Sequence, residues 1–245
     1  MGLLEGHRII VTGSASGIGA AAVGLFAAEG ATVVGLDKAP GADVVVDVAD
    51  GPATTAAVNA AVERLGGLTG VFANAGAGMV KALHDYSDDE WRWMIDTNLG
   101  GVFNTVRAAV RHMGAGGAIV TNSSLAGTKP TWGEAPMCAA KAGVVTLTLS
   151  IALEYAPKIR ANCISPGFIE SPMTAVVTGN PAWRKGAEAG TPLGRLGTVD
   201  DVASLAAFLL SDRASYITGQ NIGIDGGSAL PSVQVDAILR AMGGG

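Results

Sequence analysis

Metal-binding and redox residues are scarce in this chain, which has two cysteines, Cys138 and Cys163, and three histidines, His7, His84 and His112, in 245 residues. The cysteines form no CxxC pair and the five residues show no metal-ligand spacing, so no metal site or disulfide framework is expected. Basic residues are outnumbered, 16 Lys and Arg against 21 Asp and Glu, which leaves a net charge of −5. The basic footprint that neutralises nucleic-acid phosphates is missing. No uninterrupted apolar run approaches the ~18 residues of a membrane span. Residues 1–8 carry Glu5, His7 and Arg8 where a signal peptide would be apolar. The expectation is a cytoplasmic protein that binds neither nucleic acid nor membrane.

Charge is also thin, with 15% charged residues, against a usual value of about 25%. Part of the outer surface is therefore expected to face another subunit. Hydrophobic residues reach 49% and are ordered. Apolar β-rich runs at 7–12, 31–36, 42–46 and 70–73 alternate with Ala-rich runs at 17–29 and 52–65, the pattern of βαβ units and a parallel sheet buried on both faces. Ser87 with Glu90 predicts a capping box for a helix running through 91–113, interrupted near Gly100 and Gly101. Strands follow at 117–122, 160–165 and 221–224, and Thr198 with Asp201 caps a helix over 199–210. Residues 145–151 alternate like a strand, but the Ala-rich start and the length of 136–155 favour a helix. Residues 171–196 show no firm period and read as a lid. With no repeat, linker or composition break, residues 1–245 are expected to form one doubly wound α/β domain of the Rossmann type.

The stretch Thr12-Gly13-Ser14-Ala15-Ser16-Gly17-Ile18-Gly19 follows the first strand and opens the first helix. In that setting glycines let the backbone approach a pyrophosphate at a helix N-terminus. Its spacing is GxxxGxG. That spacing resembles the short-chain dehydrogenase/reductase family, as do Asn74-Ala75-Gly76, Asn98, Ser123-Ser124, Ala139-Ala140-Lys141, Pro166-Gly167 and the tail from Thr218-Gly219-Gln220 to Asp225-Gly226-Gly227. The likeness covers almost the whole chain and implies a mostly seven-stranded parallel sheet. The resemblance further implies that Gly13, Ser16, Gly17, Ile18 and Gly19 hold a dinucleotide. Asp37, at the end of the second strand, can accept from both adenosine ribose hydroxyls and would repel a 2′-phosphate, so NAD is favoured as cofactor, with Lys38 beside it. By the same resemblance Asp47 and Val48 border the adenine. Asn74, Ala75 and Gly76 line the ribose and nicotinamide side, and Pro166, Gly167 and Ile169 contact the carboxamide.

In this family a Ser, a Tyr and a Lys, assisted by an Asn, move a proton while the nicotinamide moves a hydride. The Tyr stands four residues before the Lys, on one helical face, where the ammonium lowers the phenol's pKa. By resemblance Ser124, Lys141 and Asn98 match the Ser, the Lys and the Asn, but the position four before Lys141 is Met137. A thioether has no proton to exchange, a loss of roughly 10²–10⁴ in rate. Tyr86, Tyr155 and Tyr216 lie elsewhere in the sequence, and the seven-residue Tyr spacing of enoyl reductases falls on Glu134. Three readings follow. The substrate needs no proton carrier, as with an imine; or the chain is a catalytically impaired NAD-binding subunit or regulatory module; or Met137 was introduced in place of a natural Tyr.

Candidate pocket residues are 78–80, 125–132 and 168–183. Trp132, Met137, Phe168, Met173 and Trp183 would form an apolar mouth for a small apolar or ring-bearing substrate. The helices over 91–113 and 136–155 are apolar around most of their circumference. With the family's four-helix contacts between subunits, this leads to an expected homotetramer.

Overall fold

The computed structural model describes residues 2–230. Seven parallel strands, β1 (Arg8–Thr12), β2 (Thr32–Asp37), β3 (Val44–Val45), β4 (Gly70–Ala73), β5 (Gly117–Asn122), β6 (Ile159–Pro166) and β9 (Asn221–Ile224), form one sheet. Their order is β3-β2-β1-β4-β5-β6-β9. Alternate residues along the strands feed two cores, as the two-residue strand period requires. Ile10, Val71, Ile119 and Ala161 pack with α2 (Gly51–Leu65), α4 (Gly101–Ala109) and α5 (Ala135–Tyr155). Ile9, Phe72, Val120 and Ile164 pack with α1 (Gly17–Ala28) and α8 (Val199–Leu210) on the other side. The doubly wound fold read from the sequence is the one observed, and all of its C-terminal strand ends share one edge.

The residues between 136 and 155 settle as a helix because burial recurs at helical spacing, on Val144, Thr148, Ile151 and Ala152. The Thr148 hydroxyl donates to the Val144 carbonyl and meets the Thr121 hydroxyl of β5 at 2.7 Å. By length and composition α5 is also apolar enough to cross a membrane, yet it packs along β6. Outward on it stand Leu149, Leu153 and Tyr155, and the neighbouring helices expose Trp91, Trp93 and Phe103.

The structure refines three expectations. The helix over 91–113 divides into α3 (Asp88–Ile95), a π-helical turn (Asp96–Gly100), α4 and a short 3-10 turn (Val110–His112), so its interruption begins before Gly100. The strand expected over 42–46 shrinks to Val44–Val45 at the sheet edge. The segment 171–196 is not shapeless. It holds α6 (Ala175–Thr178) and α7 (Pro181–Ala189), and it is bracketed by a second small sheet of β7 (Ile169–Glu170) and β8 (Gly197–Thr198). The Asn180 side chain caps α7 by accepting from the Ala182 and Trp183 amides.

Both predicted capping boxes are present, Ser87 with Glu90 and Thr198 with Asp201. Asp201 also takes two hydrogen bonds from the Arg195 guanidinium, at 2.8 and 3.0 Å. Together these contacts hold its carboxyl well below the usual carboxylate range, Arg195 being the larger cause. Asp201→Ala is expected to cost about 1 kcal/mol near neutral pH. A depressed carboxylate contributes its stability above the unfolded-state pKa and loses it as the pH falls below. The gap between wild type and variant should therefore be full above about pH 4 and shrink in stronger acid, which urea denaturation at both ends of that range measures.

Candidate active site

The glycine turn is built by close approach. Gly13 and Gly17 adopt left-handed backbone, with φ of +70° and +54°, a conformation that glycine adopts without a Cβ penalty. A Cβ on Gly19 would lie 1.9 Å from the Gly13 carbonyl oxygen, and one on Gly13 would lie 2.9 Å from Ala75 Cα. The turn is thus pressed against the end of β4, where the Asn74 and Ala75 amides both donate to Thr12 Oγ1 at 3.0 Å. Asn74 Nδ2 donates back to the Thr12 carbonyl at 3.0 Å. Ser16 is the N-cap of α1 in extended conformation and makes no side-chain cap, and the first turn of α1, with Ile18, holds no acidic residue. The helix N-terminus keeps its positive end for an anion, and among the described residues the Cβ position of Gly17 has no neighbour nearer than Ser171 Cβ at 3.7 Å.

Asp37, at the end of β2, is held by two amides. Its Oδ2 accepts from Ala15 at 3.0 Å and its Oδ1 from Ala39 at 2.9 Å. Each oxygen retains a lone pair for a hydroxyl donor. Lys38 beside it is exposed. Asp47 is exposed and accepts from the Ala49 amide. Val48 is buried against Gly101, and its carbonyl accepts from Asn104 Nδ2 and the Thr54 hydroxyl. Its side chain and carbonyl therefore serve packing.

At the centre of the edge, Asn98 sits fully buried in the π-helical turn, a local widening often found at functional sites. Its Nδ2 donates to the carbonyls of Ala77 and Met94, both at 3.0 Å, and its Oδ1 accepts from the Ala77 amide at 3.1 Å. Lys141 is buried on α5, with Nζ donating to the Asn122 carbonyl at 2.7 Å. A Cβ built on Gly76 would meet Asn98 Oδ1 at 2.9 Å and Lys141 Nζ at 3.4 Å, so these three residues converge. Ser123 Oγ donates to the Lys141 carbonyl, and Asn122 Nδ2 donates to Asn74 Oδ1. Thr12, Asn122 and Ser123 are the supporting residues to which the motifs alone assign no task. Asn122 Oδ1 stays buried without a partner among the described residues. Ser124 Oγ accepts from the Ala126 amide, which leaves its own proton uncommitted.

Met137 is half-buried on α5, one turn before Lys141. Tyr155 ends that helix in the open, and Tyr216 is fully exposed. The Tyr86 hydroxyl lies between the carbonyls of Met79 and Gly133. Glu134, the residue before α5, engages the Thr131 hydroxyl. Around the mouth, Phe168 and Trp183 meet edge to face at 5.1 Å, and Met173 Sδ approaches the Gly78 Cβ position at 3.7 Å. Trp132 is 82% exposed. Pro166 ends β6, and the Gly167 amide donates to the Ile224 carbonyl. Ile169 turns its side chain into the core beside Gly197, which leaves main-chain groups for the contact expected of it.

Burial without a counter-ion lowers the Lys141 pKa to about 8, partly offset by Cys163 beneath it on β6. Burial in turn raises the Cys163 thiol. Between about pH 8 and the ordinary lysine value of 10.5 the unfolded chain binds a proton that the folded chain has released. Stability contributed by this group therefore rises with pH across that window. Lys141→Met is expected to be more stable than wild type below it, with the difference closing toward its upper end in urea titrations without cofactor.

Comparison with known proteins identifies the family. The family described as Enoyl-(Acyl carrier protein) reductase matches residues 13–229. A 3-oxoacyl-(acyl-carrier-protein) reductase FabG of Chlamydia muridarum is 37% identical over 249 residues, covering 93% of this chain and 99% of that protein. A cis-4-hydroxycyclohexanecarboxylate dehydrogenase of Sinomonas cyclohexanicum is 40% identical over 248 residues, covering 93% and 98%. The crystal structure of a Brucella melitensis protein titled short-chain dehydrogenase/reductase SDR:Glucose/ribitol dehydrogenase superposes with a TM-score of 0.89 at 32% identity, covering 94% of this chain and 100% of that one. The chain belongs to the short-chain dehydrogenase/reductase family, oxidoreductases that bind a nicotinamide cofactor.

Proposed function

We propose that this chain is an NAD(H)-dependent oxidoreductase that moves hydride between the nicotinamide and a small apolar alcohol, ketone or imine, and that it does so with Met137 standing where the family places its tyrosine. The observation that carries this reading is the convergence of Lys141 Nζ and Asn98 Oδ1 on Gly76 at the C-terminal edge of the sheet. A chain that had lost all use for the site would have no need to keep a lysine buried there.

The fit to a dinucleotide rests on the cradle already described. Gly13, Gly17, Ile18 and Gly19, with Ser16 as N-cap, present main-chain groups to a pyrophosphate. Asp37 takes both ribose hydroxyls, and one exposed Lys38 is a weak counter-charge for a 2′-phosphate. Asp47 and the Val48 main chain border the adenine, Asn74, Ala75 and Gly76 line the inner ribose, and Pro166, Gly167 and Ile169 face the carboxamide. When bound, the nicotinamide gives or takes the hydride. Lys141 would have N–H groups left for the inner ribose hydroxyls, and Asn98 Oδ1 a lone pair for a water beside them. The Ser124 hydroxyl donates a hydrogen bond to the reacting oxygen of an alcohol or ketone.

Met137 supplies packing and no proton. A ketone would leave an alkoxide with only Ser124 to support it, whereas an iminium carbon becomes a neutral amine on accepting hydride. The apolar mouth of Trp132, Phe168, Met173 and Trp183 favours a ring-bearing substrate, as does the cyclohexane ring named for the Sinomonas relative. The exposed aromatic and aliphatic residues on α3, α4 and α5 support a homotetramer built on these helices.

Met137 also favours a second reading, a nucleotide-binding subunit with little turnover. NADH oxidation over a panel of ring ketones and cyclic imines separates the two. Turnover of imines by the wild type is expected, and Met137→Tyr should gain ketone reduction by roughly 10²–10⁴. No turnover by either protein would leave the binding subunit. Fluorescence titration should find NADH bound at least tenfold tighter than NADPH, and Asp37→Ser should narrow that ratio. Tighter NADPH binding by the wild type overturns the cofactor assignment.

A further inference from the structure

Two irregular segments flank the substrate mouth, residues 78–82 after β4 and residues 129–134 before α5. The first carries Val80, the second Trp132, and α5 with Met137 begins where the second ends. Neither segment belongs to the sheet, so their spacing must be set by side chains or by main-chain contacts between them. One hydroxyl reaches both. Tyr86 Oη lies 2.7 Å from the Met79 carbonyl and 2.9 Å from the Gly133 carbonyl. The Lys81 amide donates to the same Gly133 carbonyl at 2.9 Å.

Gly133 permits this approach. Its φ is +81°, and a Cβ there would stand 2.8 Å from Val80 Cγ1. The frame is anchored at the far side by Glu90, whose Oε1 pairs with Lys81 Nζ while its Oε2 closes the capping box on Ser87. That box caps α3 without help from Tyr86, so the phenol is not needed to start the helix.

We propose that the Tyr86 hydroxyl sets the width of the substrate mouth, which makes Tyr86 a positioning residue for the reaction; the inference rests on the functional reading given above. A phenol has one proton for its two carbonyl neighbours, and losing it would leave the Lys81 amide as the remaining hydrogen bond between the segments. Val80 and Trp132 would then part, and a small ring would be held less firmly. Burial raises the Tyr86 pKa and the Glu134 and Glu90 carboxylates act in the same direction, against the Lys81 amide and ammonium. The hydroxyl therefore keeps its proton below pH 10.

Tyr86→Phe keeps the ring and removes only the hydroxyl. Mass-spectrometric hydrogen exchange should accelerate at least tenfold in the peptide covering 79–82 and stay unchanged in the peptide covering 87–92, which holds the capping box. NADH affinity should be unchanged. Binding of cyclohexanone to the NADH-loaded protein, read from NADH fluorescence without turnover, should weaken about tenfold. For any ketone or imine that is turned over, KM should rise by a similar factor with kcat within twofold. Unchanged exchange at 79–82 would overturn the clamp, and faster exchange with unchanged ketone affinity would overturn its role in the mouth. If the wild type binds NADH but neither ketone nor imine, the substrate reading itself fails, while the exchange result still judges the clamp.

Discussion

The site depends on one run of hydrogen bonds that ties together strand ends which the sheet alone would leave free. Thr12 at the end of β1 receives the Asn74 and Ala75 amides, Asn74 receives Asn122 Nδ2 from the end of β5, and the Asn122 carbonyl receives Lys141 from α5. Asn98 extends the run by holding Ala77 from both sides. Beyond their last ladder bonds these strands would otherwise end in loops with unpaired polar groups, and burial makes each unpaired group costly. Pairing all of them but Asn122 Oδ1 in one connected set fixes the distances between the glycine turn, Gly76 and Lys141, which is what a preorganised site requires.

The same network explains which parts of the molecule can be read from its residue order. Strands buried on both faces announce themselves as continuous apolar runs, and helices that pack on them announce themselves by spacing and caps. The sheet, α1, α2, α5 and α8 were therefore legible. Gly13, Gly17 and Gly19 were legible because left-handed backbone at Gly13 and Gly17, and close backbone approach at Gly13 and Gly19, favour glycine over any other residue. The π-helical turn was legible only as an interruption near Gly100 and Gly101, because apolar spacing does not mark Asn98, the polar residue that the turn buries against Ala77. The elements in and beside residues 171–196 were not legible, where α7 spans nine residues and the small sheet pairs only two residues on each side. Segments that short show their structure only in tertiary contact.

Tyr86 shows the limit from the other side. Its position before Ser87 marks it as a residue preceding a helix, and nothing in its neighbourhood in the chain points to Gly133. The partnership arises from the fold, which returns residues 129–134 to the loop after β4. Motif spacing identifies residues that share a helix or a turn, as Met137 and Lys141 do. It is silent on pairs brought together across a cleft, and the width of a cleft is set by such pairs.

The electrostatics of Lys141 follow from its neighbours and not from its own position. A buried ammonium is tolerable when an anion or several strong acceptors face it. Here it has one neutral carbonyl, with the Cys163 thiol beneath it pushed toward its protonated form. On the proposed reading, a thioether at Met137 removes the phenol that would have shared the proton, so the lysine bears its desolvation alone. Ribose hydroxyls arriving at its free N–H groups would relieve part of that penalty. Cofactor binding and lysine protonation are then linked, each favouring the other. On that reading the pocket would grip the dinucleotide through a charge that it strains to hold when empty, and would leave the substrate to manage its own proton.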